Sequence, residues 1–152
     1  MDHVERSRVP ADAIDPLRYL GLIACAAGAL DEAAVWFGEM VTRLRQRGSR
    51  AALAVGLADV ATLAAARAAW LPAAQLFAKA EALLKTEGAA FSLPARDHYD
   101  RAHRRVQETL GTAPYQAAAV AGRALTLEQA LTEAEAVLNL DDNGGAHTSP
   151  VL

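Results

Sequence analysis

The chain repeats a pattern of its own. Gly28-Ala-Leu-Asp-Glu-Ala-Ala-Val-Trp-Phe and Ala69-Trp-Leu-Pro-Ala-Ala-Gln-Leu-Phe-Ala each follow an alanine-rich helical segment and open another, with Ala33 and Ala74 at equivalent points about 41 residues apart. A period of that size marks a helix-turn-helix unit stacked on itself. Such a unit buries its apolar stripe against its neighbours and presents a long surface, so holding a partner is the expected job and converting a substrate is not.

At 152 residues the chain suits one domain with a real core. Alanine supplies roughly a quarter of it and β-branched and aromatic types are sparse, which favours closely packed helices and no strand. A net charge of -3 and a pI near 5.8 give no overall basic character, so electrostatic binding to nucleic acid is not expected. The single cysteine, Cys25, has no internal partner, and the N-terminus lacks a signal-peptide pattern, so the expected location is cytoplasmic. The most apolar stretch, from Ala51 to Trp70, is interrupted by Asp59 and Arg67 and is too alanine-rich for a bilayer, so it reads as a buried helix.

Punctuation divides the chain into a flexible segment over 1–14, a helical domain over 15–139 and a disordered tail over 140–152. Asp15-Pro16 opens a first helix that Gly28 ends; a second runs from Leu30 to Gly48, a third from Arg50 to about Ala68. Leu71-Pro72 begins a fourth, closed by Gly88. Ser92 and Pro94 start a polar fifth helix to Leu110, and Thr112 with Pro114 a sixth that stops at Gly122. Thr126-Leu-Glu-Gln is a capping-box pattern for a last helix to about Leu138.

Leu17, Leu20-Gly21, Ala24, Gly28, Leu30, Ala33 and Phe37 fall on the spacing of a tetratricopeptide repeat. Ala58, Ala61-Thr62, Ala65, Leu71, Ala74 and Ala78 match it more loosely, with Ala69-Trp70 where glycine and a polar residue are usual. The second half, from Ala69 to Val137, resembles the C-terminal end of large bacterial regulators built on a STAND-type ATPase. In these the ATPase often accompanies a LuxR-type or winged DNA-binding domain or a cyclase domain. Their tetratricopeptide-like repeats end in Ala-x-x-x-Gly-Arg-x-Leu-x-Leu-x-x-Ala, which Ala118 to Ala130 follows closely. The resemblance implies a sensor or interaction arm of a transcriptional or signalling protein, without catalysis of its own. The P-loop, DNA-reading helix and cyclase segment of those regulators are not in this sequence.

Candidate chemistry is thin. Asp97, His98, Asp100 and His103 form the densest group of potential ligands, yet a metal or acid-base site would need another helix to contribute, so no metal or cofactor is expected. Cys25 reads as a packing residue, lacking an adjacent base. Arg43, Arg45, Arg47 and Arg50 read as solvated cations at a helix end, and Arg101, Arg104 and Arg105 as a face interleaved with acids.

The register of the repeat places Arg18, Leu22, Cys25, Asp59, Leu63 and Arg67 toward a concave groove, with Asp100 and Arg104 from a third unit. Two readings of the charges Asp59 and Arg67 stand: exposure in that groove, or an intramolecular pair with Arg18 or Arg104. Trp36 and Trp70 are candidate interface anchors, with core packing as the competing role. The resulting expectation is an all-α protein of antiparallel helix hairpins stacked as a short tetratricopeptide-like solenoid with a C-terminal helical cap. It would serve as a non-enzymatic protein-protein interaction module, with self-association into a homodimer allowed and no membrane contact. The alternatives are a repeat that senses a small-molecule effector, an enzyme with titratable residues converging on the fifth helix, and a nucleic-acid-binding repeat.

Overall fold

A computed structural model describes residues 14–89 and 93–140; the expected flexible segment, the Ser92 cap and the tail beyond Leu140 lie outside the described residues. Seven helices follow one another: α1 (Asp15–Ala26), α2 (Leu30–Arg47), α3 (Arg50–Ala66), α4 (Trp70–Thr86), α5 (Leu93–Leu110), α6 (Thr112–Ala124) and α7 (Leu127–Leu138). No strand occurs among the described residues, and no helix there is long and apolar enough to cross a membrane.

The helix ends follow local chemistry. α1, α3 and α4 finish in one kind of turn, with Gly28 (φ 80°), Ala68 (φ 60°) and Gly88 (φ 66°) in the left-handed region. The next amide in each case reaches back to an orphan carbonyl: Ala29 N to Ala24 O at 2.9 Å, Ala69 N to Ala64 O at 2.8 Å and Ala89 N to Leu84 O at 2.9 Å. Ser49 caps α3 by accepting from Ala52 N at 3.1 Å. The capping box of α7 forms in full, with Gln129 N donating to Thr126 Oγ1 and Thr126 N to Gln129 Oε1.

Some expected boundaries move. Asp15 is the first residue of α1 and not its cap, Trp70 opens α4 one residue early, and Gly111 (φ 82°) rather than Thr112 precedes α6. Gly122 does not stop α6, which continues to Ala124. It is instead a point of contact: a Cβ there would lie 2.3 Å from the carbonyl oxygen of Gln75, so only glycine lets α6 rest on the α4 backbone.

Packing centres on α3. This helix touches α1, α2, α4, α5 and α7, and 12 of its 17 residues are buried, so it is enclosed rather than amphipathic. Its alanines admit neighbours on every side. α1 pairs with α2, where Phe37 sits against Gly21; α3 pairs with α4; α6 lies on α4 and α5; and α7 returns to pack on α2, α3 and α4. Three ion pairs reinforce these joints. Arg45 of α2 binds Glu128 (2.7 Å) and Glu135 (2.6 Å) of α7, and Arg50 reaches Glu87 at 3.2 Å, so those arginines grip other elements as well as facing solvent.

Ala68 is the only non-glycine residue at positive φ among the described residues. The left-handed conformation costs an L-residue about 1–2 kcal/mol, while glycine adds unfolded-state freedom worth about 0.4–1 kcal/mol. Ala68→Gly is therefore expected to stabilise the fold by about 0.5–1 kcal/mol in urea denaturation followed by circular dichroism, and a loss of stability would contradict this reading of the turn.

Candidate functional site

Asp59 is fully buried in the middle of α3. Arg18 of α1 donates to it through Nε at 2.7 Å, and the Tyr99 hydroxyl of α5 donates at 2.7 Å while accepting from Arg18 Nη2. The three residues are 41 and 40 positions apart, one per successive hairpin. Burial is the largest influence on the Asp59 carboxyl and pushes its pKa up, against the pull of Arg18 and Tyr99. Asp59 is thus not a groove residue. Its expected intramolecular pair with Arg18 is present, and the same contact draws Arg18 inward to a side-chain exposure of 13%.

Arg67, the residue that caps the C-terminus of α3 two turns further on, is likewise enclosed. Its Nη1 donates to Val137 O at 3.0 Å at the end of α7, and its Nη2 to Asp31 Oδ1 at 2.7 Å at the start of α2. It neutralises carbonyls at a helix C-terminus, as a cation does best, and its carboxylate partner is Asp31. Leu63, between the two charges, is fully buried. The expected groove over Asp59, Leu63 and Arg67 is therefore filled by the fold, because α5 lies on α3 from one side and α7 from another.

Trp36 is also corrected. It is buried together with its neighbour Phe37, because α2 is covered by α7 in addition to α1 and α3, so both residues of the pair face protein. Trp70 is half-buried, with the Arg105 guanidinium 5.5 Å above its ring.

A cleft of about 320 Å³ does remain between α1, α3 and α5. Its floor is Thr62, Ala65 and Ala66 of α3, Cys25 and Ala26 close one wall, and His98, Arg101 and Arg105 stand on one stripe of α5. Leu22 is half-buried beside it in sequence, while Tyr19 and Ile23 continue the Ala26 stripe of α1, 55% and 66% exposed. His98 Nε2 is buried without a hydrogen-bond partner among the described residues, and burial followed by the Arg101 charge lowers its pKa.

Asp100 and Arg104 are exposed, and Asp100 faces a different cleft, of about 310 Å³, between α4 and α5. At its inner end His103 stacks on Phe77 with ring centroids 5.0 Å apart, is hydrogen-bonded through Nε2 to the Tyr115 hydroxyl of α6, and places Nδ1 3.4 Å from Glu81 Oε1. Titratable groups from α4, α5 and α6 therefore converge. Tyr115 holds one ring nitrogen and Glu81 faces the other, so the ring is oriented by protein on both edges.

A third cavity, about 680 Å³, opens between α2 and the end of α7 around Arg45, Glu135 and Leu138. No group of three or more His, Cys, Asp or Glu placed to hold a metal occurs among the described residues. Protein-family models, curated proteins and solved structures contain no match to this chain.

Sequence reasoning missed Tyr99, Glu81 and Tyr115. Tyr99 stands one residue off the register: the 41-residue spacing from Asp59 points to Asp100, and it is the preceding residue that turns inward. Glu81 and Tyr115 carried no signal, because their meeting at His103 depends on how α6 crosses α4 and α5.

Burial pushes the Cys25 thiol up to about 11, with Arg67 pulling down and Asp59 adding to the rise. Only thiolate reacts, so in native protein at pH 8 Cys25 should react with iodoacetamide at least about tenfold more slowly than in urea. Equal rates would mean that the wall formed by α1 is open.

Proposed function

We propose that this protein is a non-catalytic protein-protein interaction module, with the hairpins α1/α2, α3/α4 and α5/α6 stacked in the tetratricopeptide manner. Its partner would dock across the cleft between α1, α3 and α5. The stacking is supported by the mutual contact of Arg18, Asp59 and Tyr99, one on each of the three first helices, with Arg18 and Asp59 at the 41-residue spacing and Tyr99 one residue short of it. The closing segment from Ala118 to Ala130 acquires a physical purpose in this reading. Its glycine seats α6 on α4, and its threonine caps the helix that covers α3.

The observation that carries the docking role is the pairing of two unlike stripes. Tyr19 and Ile23 expose apolar surface along α1 on the stripe that leads to Ala26 in the cleft wall, and Arg101 and Arg105 present cations from α5. A helix or extended segment with an apolar anchor and an acidic edge fits both, by burying the former and neutralising the latter. In the setting implied by the sequence resemblance, the module is an interaction arm of a bacterial cytoplasmic transcriptional or signalling regulator.

A photo-crosslinking amino acid placed at position 23 tests this, with position 120 as a distant exposed control. The expected result is a protein adduct at position 23 that falls several-fold when Arg101 and Arg105 are changed to Glu, its mass telling a second copy of this chain from another protein. An adduct of equal yield at position 120, or one indifferent to the arginine changes, would overturn the assignment.

A further inference from the structure

The cleft between α4 and α5 is built differently from the docking cleft. Phe77, Leu84 and Tyr99 give it an apolar floor, with Tyr99 held in place by Asp59 and Arg18 from below. Its rim carries two residues of each charge in a regular order. Glu81 and Lys85 lie one turn apart on α4, and Arg96 and Asp100 one turn apart on α5. On both walls the base is the residue nearer the connection between the two helices, and the acid lies one turn further from it. Lys85 and Arg96 therefore make a cationic end and Glu81 and Asp100 an anionic end, separated by about 5.4 Å, the pitch of a helix.

We propose that this cleft binds a small zwitterion whose ammonium and carboxylate are about one helical turn apart on an apolar body, an ω-amino acid or a dipeptide. The carboxylate lies between Lys85 and Arg96, the ammonium between Glu81 and Asp100, and the linking carbons on Phe77, Leu84 and Tyr99. A volume of about 310 Å³ suits a ligand of this size. In the free protein Glu81 faces His103 Nδ1 at 3.4 Å with about half of its side chain exposed, leaving room for a bound cation to share it. Arg96 and Asp100 approach at 3.8 Å with side-chain exposures of 58% and 57%, a pair that a bound ligand replaces at little cost.

Glu81 also gives the site an output. It faces His103, which is hydrogen-bonded to Tyr115 in the first turn of α6, so a cation drawn to Glu81 changes the field on a ring that bridges to a third helix. Occupancy at α4 and α5 is thereby read at α6, outside the docking cleft and independent of its role.

The test is nuclear magnetic resonance titration of the full chain, following the His103 imidazole and the Tyr115 amide, with 5-aminopentanoate and glycyl-phenylalanine as probes. Pentylamine and pentanoate serve as single-charge controls. Both signals should shift saturably with at least one zwitterion, with the controls at least about tenfold weaker. Glu81→Gln and Arg96→Gln should each weaken binding by a similar factor; Asp100→Asn replaces Glu81→Gln if loss of that carboxylate lowers helicity. No saturable shift at tens of millimolar, equal binding of a single-charge control, or indifference to the rim variants would overturn the proposal.

Discussion

Two buried charges, one inside α3 and one at its C-terminal cap, organise this protein. Apart from Arg50, Gly56 and Thr62 the rest of α3 is alanine, leucine and valine, and Asp59 at its middle and Arg67 at its C-terminal cap lie in an interior where neither could remain unpaired. Asp59 is met by α1 and α5, and Arg67 by α2 and α7. Four helices are thus located on α3 by directional bonds, at angles and heights that alanine contacts alone would specify poorly. Apolar burial supplies the drive to collapse, while each buried charge is satisfied only with the helices that carry its partners in their observed places.

Enclosing α3 decides where function can reside. A repeat of two open hairpins would offer the inner face of α3 as a groove; here α5 and α7 close around that helix while α6 packs on α4 and α5. What remains are clefts at the seams of α5, which stands against α3 on one side and α4 on the other. Its arginine stripe faces the first seam, and Asp100 and His103 face the second. α5 is polar along most of its length, which fits a helix that is walled by protein on two sides and lines two solvent-filled clefts.

Much of the fold was legible in the sequence because it is written in local signals. The left-handed turn at Gly28, the capping box at Thr126 and the repeat of Ala33 at Ala74 depend on neighbours within a few residues, and their elements form where expected. The site was less legible. Burial of Asp59, Leu63, Arg67 and Trp36 follows from the return of α7 and the placement of α5, which no local pattern encodes. Gly122 illustrates the limit: glycine near a helix end reads as a terminator, while here it serves a close crossing with Gln75. The pair of Arg18 with Asp59 was open to inference, since a charge in an alanine-rich helix demands a partner and the repeat spacing supplied one. Tyr99 as the third member was not, since the same spacing points to its neighbour Asp100.

The most direct test of this organisation is the equilibrium stability of Asp59→Ala, measured by urea denaturation with circular dichroism. Removing one member of a buried charge pair leaves Arg18 and Tyr99 without their acceptor, and such losses cost about 3–5 kcal/mol. A loss of that size, or of the cooperative transition itself, is the predicted result. A change below about 1 kcal/mol with helicity intact would place Asp59 in solvent and contradict the account of α3 as the enclosed centre of the fold.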